Sequence, residues 1–214
     1  MKKMSNILLA FVKLTGVIPA YIFFKPKIFK TSESCRRFLP KKAILMSNHT
    51  SLLDFVLYEL IFCFRRIHFL MAEVLFRKSK LFSWFLYKLG GIFVDRDACN
   101  FSFVEESLKV LKKKQIVGVF PQGRLPVNGV SFPFKPGIVL IALKTDSPIV
   151  PVYTDGNYGL FKRAHILIGD EIYLRDFVSG ENIDNEELKR LTNLLEEKNN
   201  ELKAELEKRL NRKK

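Results

Sequence analysis

Six short apolar runs, most of them separated by stretches of helical length, restrict the folds open to this chain more than any other feature. They are 43–47 (AILMS), 67–71 (IHFLM), 91–94 (GIFV), 116–120 (IVGVF), 149–153 (IVPVY) and 165–169 (HILIG). Each is too short for a helix and rich in β-branched, aromatic or long aliphatic side chains, as expected of a strand covered on both faces. Between them, 52–63, 74–89, 101–113 and 137–144 have helical length or periodicity. Parallel strands need a crossover of a dozen or more residues, and helices supply it. The expected fold is therefore α/β, with a largely parallel central sheet flanked by helices.

The two ends depart from this pattern. From residue 185 to 212, Leu188, Leu191, Leu195, Leu202, Leu206 and Leu210 recur among Glu, Lys and Asn, which describes an amphipathic C-terminal helix. At the other end, Met4 to Phe24 is mostly apolar and is flanked by Lys2, Lys3, Lys25, Lys27 and Lys30. Roughly 20 such residues are enough to cross a bilayer. Lys13 near the centre costs about 2.5–3.5 kcal/mol on insertion scales and Pro19 invites a kink, so a segment lying in the interface is the better expectation. No A-x-A cleavage site follows, which disfavours a secretory signal. No repeat or Gly/Ser-rich linker divides the rest, so the expected organisation is a membrane-associating segment, 1–30, and one domain, 31–214, that includes the C-terminal helix.

A formal charge of +14 directs the surface toward phosphate-bearing partners: nucleic acid, anionic lipid or a phosphorylated metabolite. No nucleic-acid-binding motif accompanies the charge, so nucleic acid is not expected. Cys35, Cys63 and Cys99 are odd in number and form no CxxC. Neither a disulfide framework nor a metal site is expected, and a reducing, cytoplasm-facing location fits.

The first strand-like run leads directly into "NHTSLLD", residues 48–54. On one continuous helix, His49 and Asp54 would lie about 140° apart around the axis and share no face. If Asn48 and His49 occupy the turn and Thr50 or Ser51 caps the helix, Asp54 falls in its first turn, from which its carboxylate reaches back to the imidazole. A carboxylate on one ring nitrogen sets the tautomer and leaves the other nitrogen to take a proton from a hydroxyl. The same residues also describe an ordinary strand-to-helix turn, and at this point both readings stand. There is no G-x-S-x-G and no cysteine in a nucleophile-elbow context, so His49 would act on a substrate hydroxyl directly. His68 and His165 lie within apolar runs and read as structural.

Four blocks in one order resemble the glycerolipid acyltransferases, the group that includes 1-acylglycerol-3-phosphate acyltransferase. "NHTSLLD" is similar to the NHxxxxD signature, "GGIFVDR" (90–96) to the second motif, "FPQGR" (120–124) to the third and "IVPVY" (149–153) to the fourth. The resemblance covers roughly residues 40 to 170. It implies His49 as general base and Asp54 as the carboxylate that orients it, with Asn48 and Ser51 supporting the motif. It implies an acyl group passing from acyl-CoA or acyl carrier protein to the hydroxyl of a lysophospholipid. No cofactor or metal is implied, and the site would face the cytoplasm at an anionic membrane. Arg96 and Arg124 would hold the acceptor's phosphate, a role that suits the guanidinium fork. Lys135, in the loop before an apolar helix, is a further candidate for that phosphate.

The third block departs from the pattern. Gln122 stands where the family has glutamate, and Arg124 follows Gly123 directly. Glutamine keeps the size and an accepting oxygen but loses the charge. That leaves open weaker acceptor handling, another acceptor such as a lyso-aminolipid, or a catalytically silent lipid-binding protein. Lys162 and Arg163, beside aromatics in "NYGLFKRA", are candidates for touching headgroups or an acidic carrier protein.

Overall fold

The computed structural model describes residues 11, 15–16, 18–33, 35, 39–95, 102–180 and 183–212. Seven strands form one sheet in the order β1-β7-β6-β2-β5-β3-β4. They are β1 (Lys27–Lys30), β2 (Ala43–Ser47), β3 (Ile67–Ala72), β4 (Ile92–Val94), β5 (Ile116–Val119), β6 (Ile149–Thr154) and β7 (His165–Ile168). Every pairing is parallel except β6 with β7. Each of the six apolar runs is a strand, and the sheet is largely parallel as expected. The additional strand, β1 (KIFK), is half lysine and carries no apolar run to announce it. It pairs with β7 at the sheet's edge, where its lysines can reach solvent.

Both faces of the sheet are covered, which is why the strands read as continuous apolar runs. In β2, Leu45 faces one core with Phe69, Val152 and Tyr58, while Ile44 and Met46 face a second with Val117, Val119 and Ile138. The first core is closed by helices α1 (Asp54–Ile61), α2 (Glu73–Phe76) and α3 (Lys80–Leu89) through Leu57, Phe76 and Leu86. The second is closed by α4 (Ser102–Lys112), α5 (Gly137–Thr145) and α6 (Asn185–Asn211) through Leu111, Ile141 and Leu191. The C-terminal stripe thus packs on its own domain, with Leu202 and Leu206 set against Leu167 of β7.

The stretch read as one helix over 74–89 is two. Ser79 adopts an extended backbone, and its hydroxyl accepts from the Phe82 amide at 3.1 Å, so it ends the first helical turn and caps α3. At the N-terminus, 18–24 is helical, whereas residues 1–10, 12–14 and 17 lie outside the described residues. Among the described residues no helix is long and apolar enough to cross a membrane.

Candidate active site

The carboxyl ends of β2, β5, β3 and β6 lie side by side, and open α/β sheets bind ligands at that edge. The loop leaving β2 carries Asn48, His49 and Ser51, and the loop leaving β5 carries Phe120, Gln122, Gly123 and Arg124. Asn48 joins the ends of β2 and β6 by a reciprocal pair: its Nδ2 donates to the Thr154 carbonyl and its Oδ1 accepts from the Thr154 amide, both at 2.9 Å. That side chain therefore stands in for one more rung of the ladder, just where the motif loop must leave the sheet.

His49 and Asp54 meet: Nδ1 lies 2.8 Å from the carboxylate Oδ2. The same oxygen accepts from the amides of Thr50 at 2.7 Å and Ser51 at 2.9 Å. The other oxygen accepts from the Thr50 hydroxyl at 2.9 Å and from the Tyr158 hydroxyl at 2.7 Å. Asp54 is 0% exposed, so these five contacts replace water completely. The local structure differs from the expected cap. Helix α1 begins at Asp54 itself, preceded by Leu53 with no side-chain cap, and Ser51 Oγ instead accepts from the Leu53 amide at 3.2 Å. A carboxylate reaching back to two consecutive amides satisfies more donors than a single hydroxyl could, so Thr50 and Ser51 become part of the turn that Asp54 holds.

The imidazole is fixed on its other sides. Its ring stacks on Phe120 at 4.3 Å between centroids and 14° between planes, and Phe120 stacks in turn on Phe69 at 5.6 Å. Gly118 makes this stack possible. A Cβ there would come within 2.4 Å of the Phe69 ring, so only a bare backbone lets the ring lie flat against β5. The His49 amide donates to Gln122 Oε1 at 3.1 Å, which ties the β2 loop to the β5 loop. Gln122 is buried, and this bond uses only the oxygen that glutamine shares with glutamate. With Nδ1 on Asp54, Nε2 is left as the basic nitrogen, on a side chain 15% exposed.

That ring lines a cavity of about 560 Å³, walled mainly by Leu52, Phe55, Phe69, Met71, Leu75, Phe82, Leu86 and Phe120. Lys78, Gly123 and Arg124 are the polar part of its lining. The Arg124 guanidinium sits 5.9 Å from the centroid of Phe132, and the Lys135 chain runs along Gly123, with Cε 3.5 Å from where a Cβ would stand. His49, Asp54, Asn48, Ser51, Gln122, Gly123, Arg124 and Lys135 are thus brought to one edge of the sheet, whereas Arg96 and Cys99 lie outside the described residues.

Three neighbours of the pair were not anticipated. Phe120 ends an apolar run and reads as core, Thr50 reads as a cap, and Tyr158 lies 104 positions beyond Asp54 in a stretch that stood out only for Lys162 and Arg163. The segment carrying Tyr158 is pressed onto the motif loop at Gly156, where φ is +68° and a Cβ would lie 2.9 Å from Thr50. Burial, with the charge of Asp54 next, pushes the Tyr158 hydroxyl far above the usual tyrosine range; burial does the same to Tyr58, which hydrogen-bonds Ser47 at the end of β2. A second histidine–aspartate pair, His165 Nδ1 to Asp155 Oδ2 at 2.7 Å, closes the β6–β7 turn, where Asp155 also accepts from the His165 amide, and does not line this cavity.

The family model described as Acyltransferase matches residues 29–155. The chain is 33% identical over 117 residues to the 1-acyl-sn-glycerol-3-phosphate acyltransferase of Bacillus subtilis, covering 52% of this chain and 57% of that protein. It is 29% identical over 126 residues to the protein of the same name from Borreliella burgdorferi, covering 56% of this chain and 50% of that one. The chain thus spans about half the length of these curated relatives. The crystal structure of the 1-acyl-sn-glycerophosphate acyltransferase of Thermotoga maritima superposes with a TM-score of 0.61 at 22% identity, over 94% of this chain and 83% of that one, and shares the fold. Because the matched stretch runs from within β1 to just past β6, and so takes in the His49–Asp54 pair and the loop that holds it, the chain belongs to the acyltransferase family.

Proposed function

We propose that this protein transfers an acyl group from the thioester of acyl-CoA or acyl carrier protein to the free hydroxyl of a lysophospholipid, with 1-acylglycerol 3-phosphate as acceptor and phosphatidic acid as product. The single observation that supports this most is the His49–Asp54 contact on the wall of a largely apolar cavity. His49 Nε2 takes the proton of the acceptor hydroxyl as its oxygen attacks the thioester carbonyl. The C–S bond then breaks, and the proton held on Nε2 passes to the departing thiolate. Asp54 keeps the ring oriented and stabilises it while it is cationic; such positioned proton transfer is worth on the order of 10²–10⁴ in rate. Arg124, Lys135 and, from its motif, Arg96 supply positive charge for the acceptor's phosphate, and the apolar wall suits an acyl chain. No cofactor enters the reaction. The names of the matched relatives favour this acceptor over a lyso-aminolipid.

The site works, in this reading, against an anionic bilayer on its cytoplasmic face. The associating segment is drawn from residues 1–30, of which Lys27–Lys30 is also the edge strand β1 of the acyltransferase domain's sheet, and 31–214 complete that domain. Ile18, Tyr21 and Ile22 on the N-terminal helix and Leu160 and Phe161 on the β6–β7 connection are large apolar side chains left in solvent, with Lys162 and Arg163 next in sequence. Apolar groups beside cations are what a negatively charged interface attracts. The test is thiol release from acyl-CoA and from acyl carrier protein, with and without lysophosphatidic acid. Acceptor-dependent release that His49→Ala abolishes is expected. Release that ignores the acceptor, or survives His49→Ala, overturns the reading.

A further inference from the structure

Asp54 is served from two directions. Thr50 and Ser51 belong to its own turn, so their bonds form whenever the local loop forms. The Tyr158 hydroxyl arrives from the β6–β7 connection, 104 positions away, and donates to Oδ1 at 2.7 Å, the oxygen not engaged by His49. Tyr158 is held by three further contacts. Its ring edge meets Phe24 at 5.1 Å between centroids, its hydroxyl also lies 3.2 Å from Thr154 Oγ1, and the Thr50 hydroxyl approaches it at 3.4 Å. Gly156, two residues earlier, lets the backbone close on Thr50.

We propose that Tyr158 is a positioning residue for the acyl-transfer reaction, donating to the Asp54 oxygen that His49 leaves free and so setting how strongly that carboxylate supports the histidine as base. The proposal rests on the acyltransferase reading of the site. An ionised carboxylate is acceptor-only and divides its charge among its donors. Taking one donor from Oδ1 leaves more negative charge for the imidazolium, which makes His49 hold its proton more tightly and release it less readily to the thiolate. Because burial and the adjacent carboxylate keep the phenol protonated, Tyr158 stays a donor across the working range of pH.

Tyr158→Phe removes the hydroxyl and keeps the ring on Phe24. The expected result is a fall of about tenfold in kcat with acceptor KM little changed, and a shift of the acid limb of the kcat/KM profile to higher pH by about half a unit. Placing 3-fluorotyrosine at 158 keeps the packing, makes the phenol a stronger donor, and is expected to move the limb the opposite way. Phe24→Leu disturbs the packing but not the hydroxyl and should leave the limb in place. An acid limb unmoved in both Tyr158 variants overturns the inference, as does an equal shift in Phe24→Leu, because the tyrosine would then act only by filling space. His49→Ala is run alongside: activity surviving there defeats the general-base reading itself, whereas activity lost there with Tyr158 variants indistinguishable from wild type defeats only this inference.

Discussion

At the scale of the residue, the site is an exercise in satisfying one buried carboxylate. Asp54→Asn cannot reproduce five donors with one oxygen and an NH₂, so two donors must face a donor. A loss of about 1.5–3 kcal/mol in stability is expected, with turnover down by a factor on the order of 10³ or more, read by thermal melting and thiol release. Gln122 is a sharper case. Its oxygen holds the His49 amide, so Gln122→Ala should lower turnover more than Gln122→Glu, which keeps the acceptor; equal losses would detach that bond from function. His68 is a separate matter of stability. Burial and then the Arg66 charge lower it to about 4, while its Nδ1 meets the Gly90 carbonyl. A histidine that takes up a proton less readily when folded favours the folded state above about pH 6.5, and that advantage is lost as pH falls toward 4. The loss is on the order of 3 kcal/mol, and His68→Gln should flatten melting temperature against pH over this window. The spacing of His49 and Asp54 fits a turn but left an ordinary cap equally open, and it was the four blocks resembling the acyltransferases that singled the pair out. Tyr158 was not legible in sequence, because nothing local to a tyrosine in a loop says which distant carboxylate it will meet.

Elements carry the site by their ends and by what they lack. Gly118 sits mid-strand where side chains are the rule, and its bare backbone admits the Phe69 ring that underlies Phe120 and His49. Gly118→Ala should therefore cost about 1–3 kcal/mol by overpacking and lower activity as well, since the displaced ring belongs to the stack under His49. The Ser79 cap separates α2 from α3, and Ser79→Ala is expected to cost about 1 kcal/mol with catalysis unchanged, a contrast visible in a denaturation series beside the assay. The six apolar strands were readable because burial on both faces demands unbroken apolar runs. β1 was hidden by its lysines, and the break before α3 by apolar residues that continue across it.

For the whole molecule, the proposed interfacial location rests on where greasy and cationic groups lie together. Phe161 is 101% exposed at the tip of the β6–β7 connection, so Phe161→Ser should leave the melting temperature unchanged while weakening sedimentation with phosphatidylglycerol vesicles, most visibly as salt is raised. The sequence by itself determined the layered α/β plan and the basic charge, which depend on local pattern or simple counting, and its resemblance to a family pointed to the histidine–aspartate pair. Only the tertiary structure decided which oxygens of Asp54 are filled, that Gln122 grips the histidine's own amide, and that residues 120 and 158 stand beside residues 49 and 54. Those contacts join segments about 70 to 110 positions apart in the chain, and what brings them together is the order of strands in a sheet, which no stretch of neighbouring residues encodes.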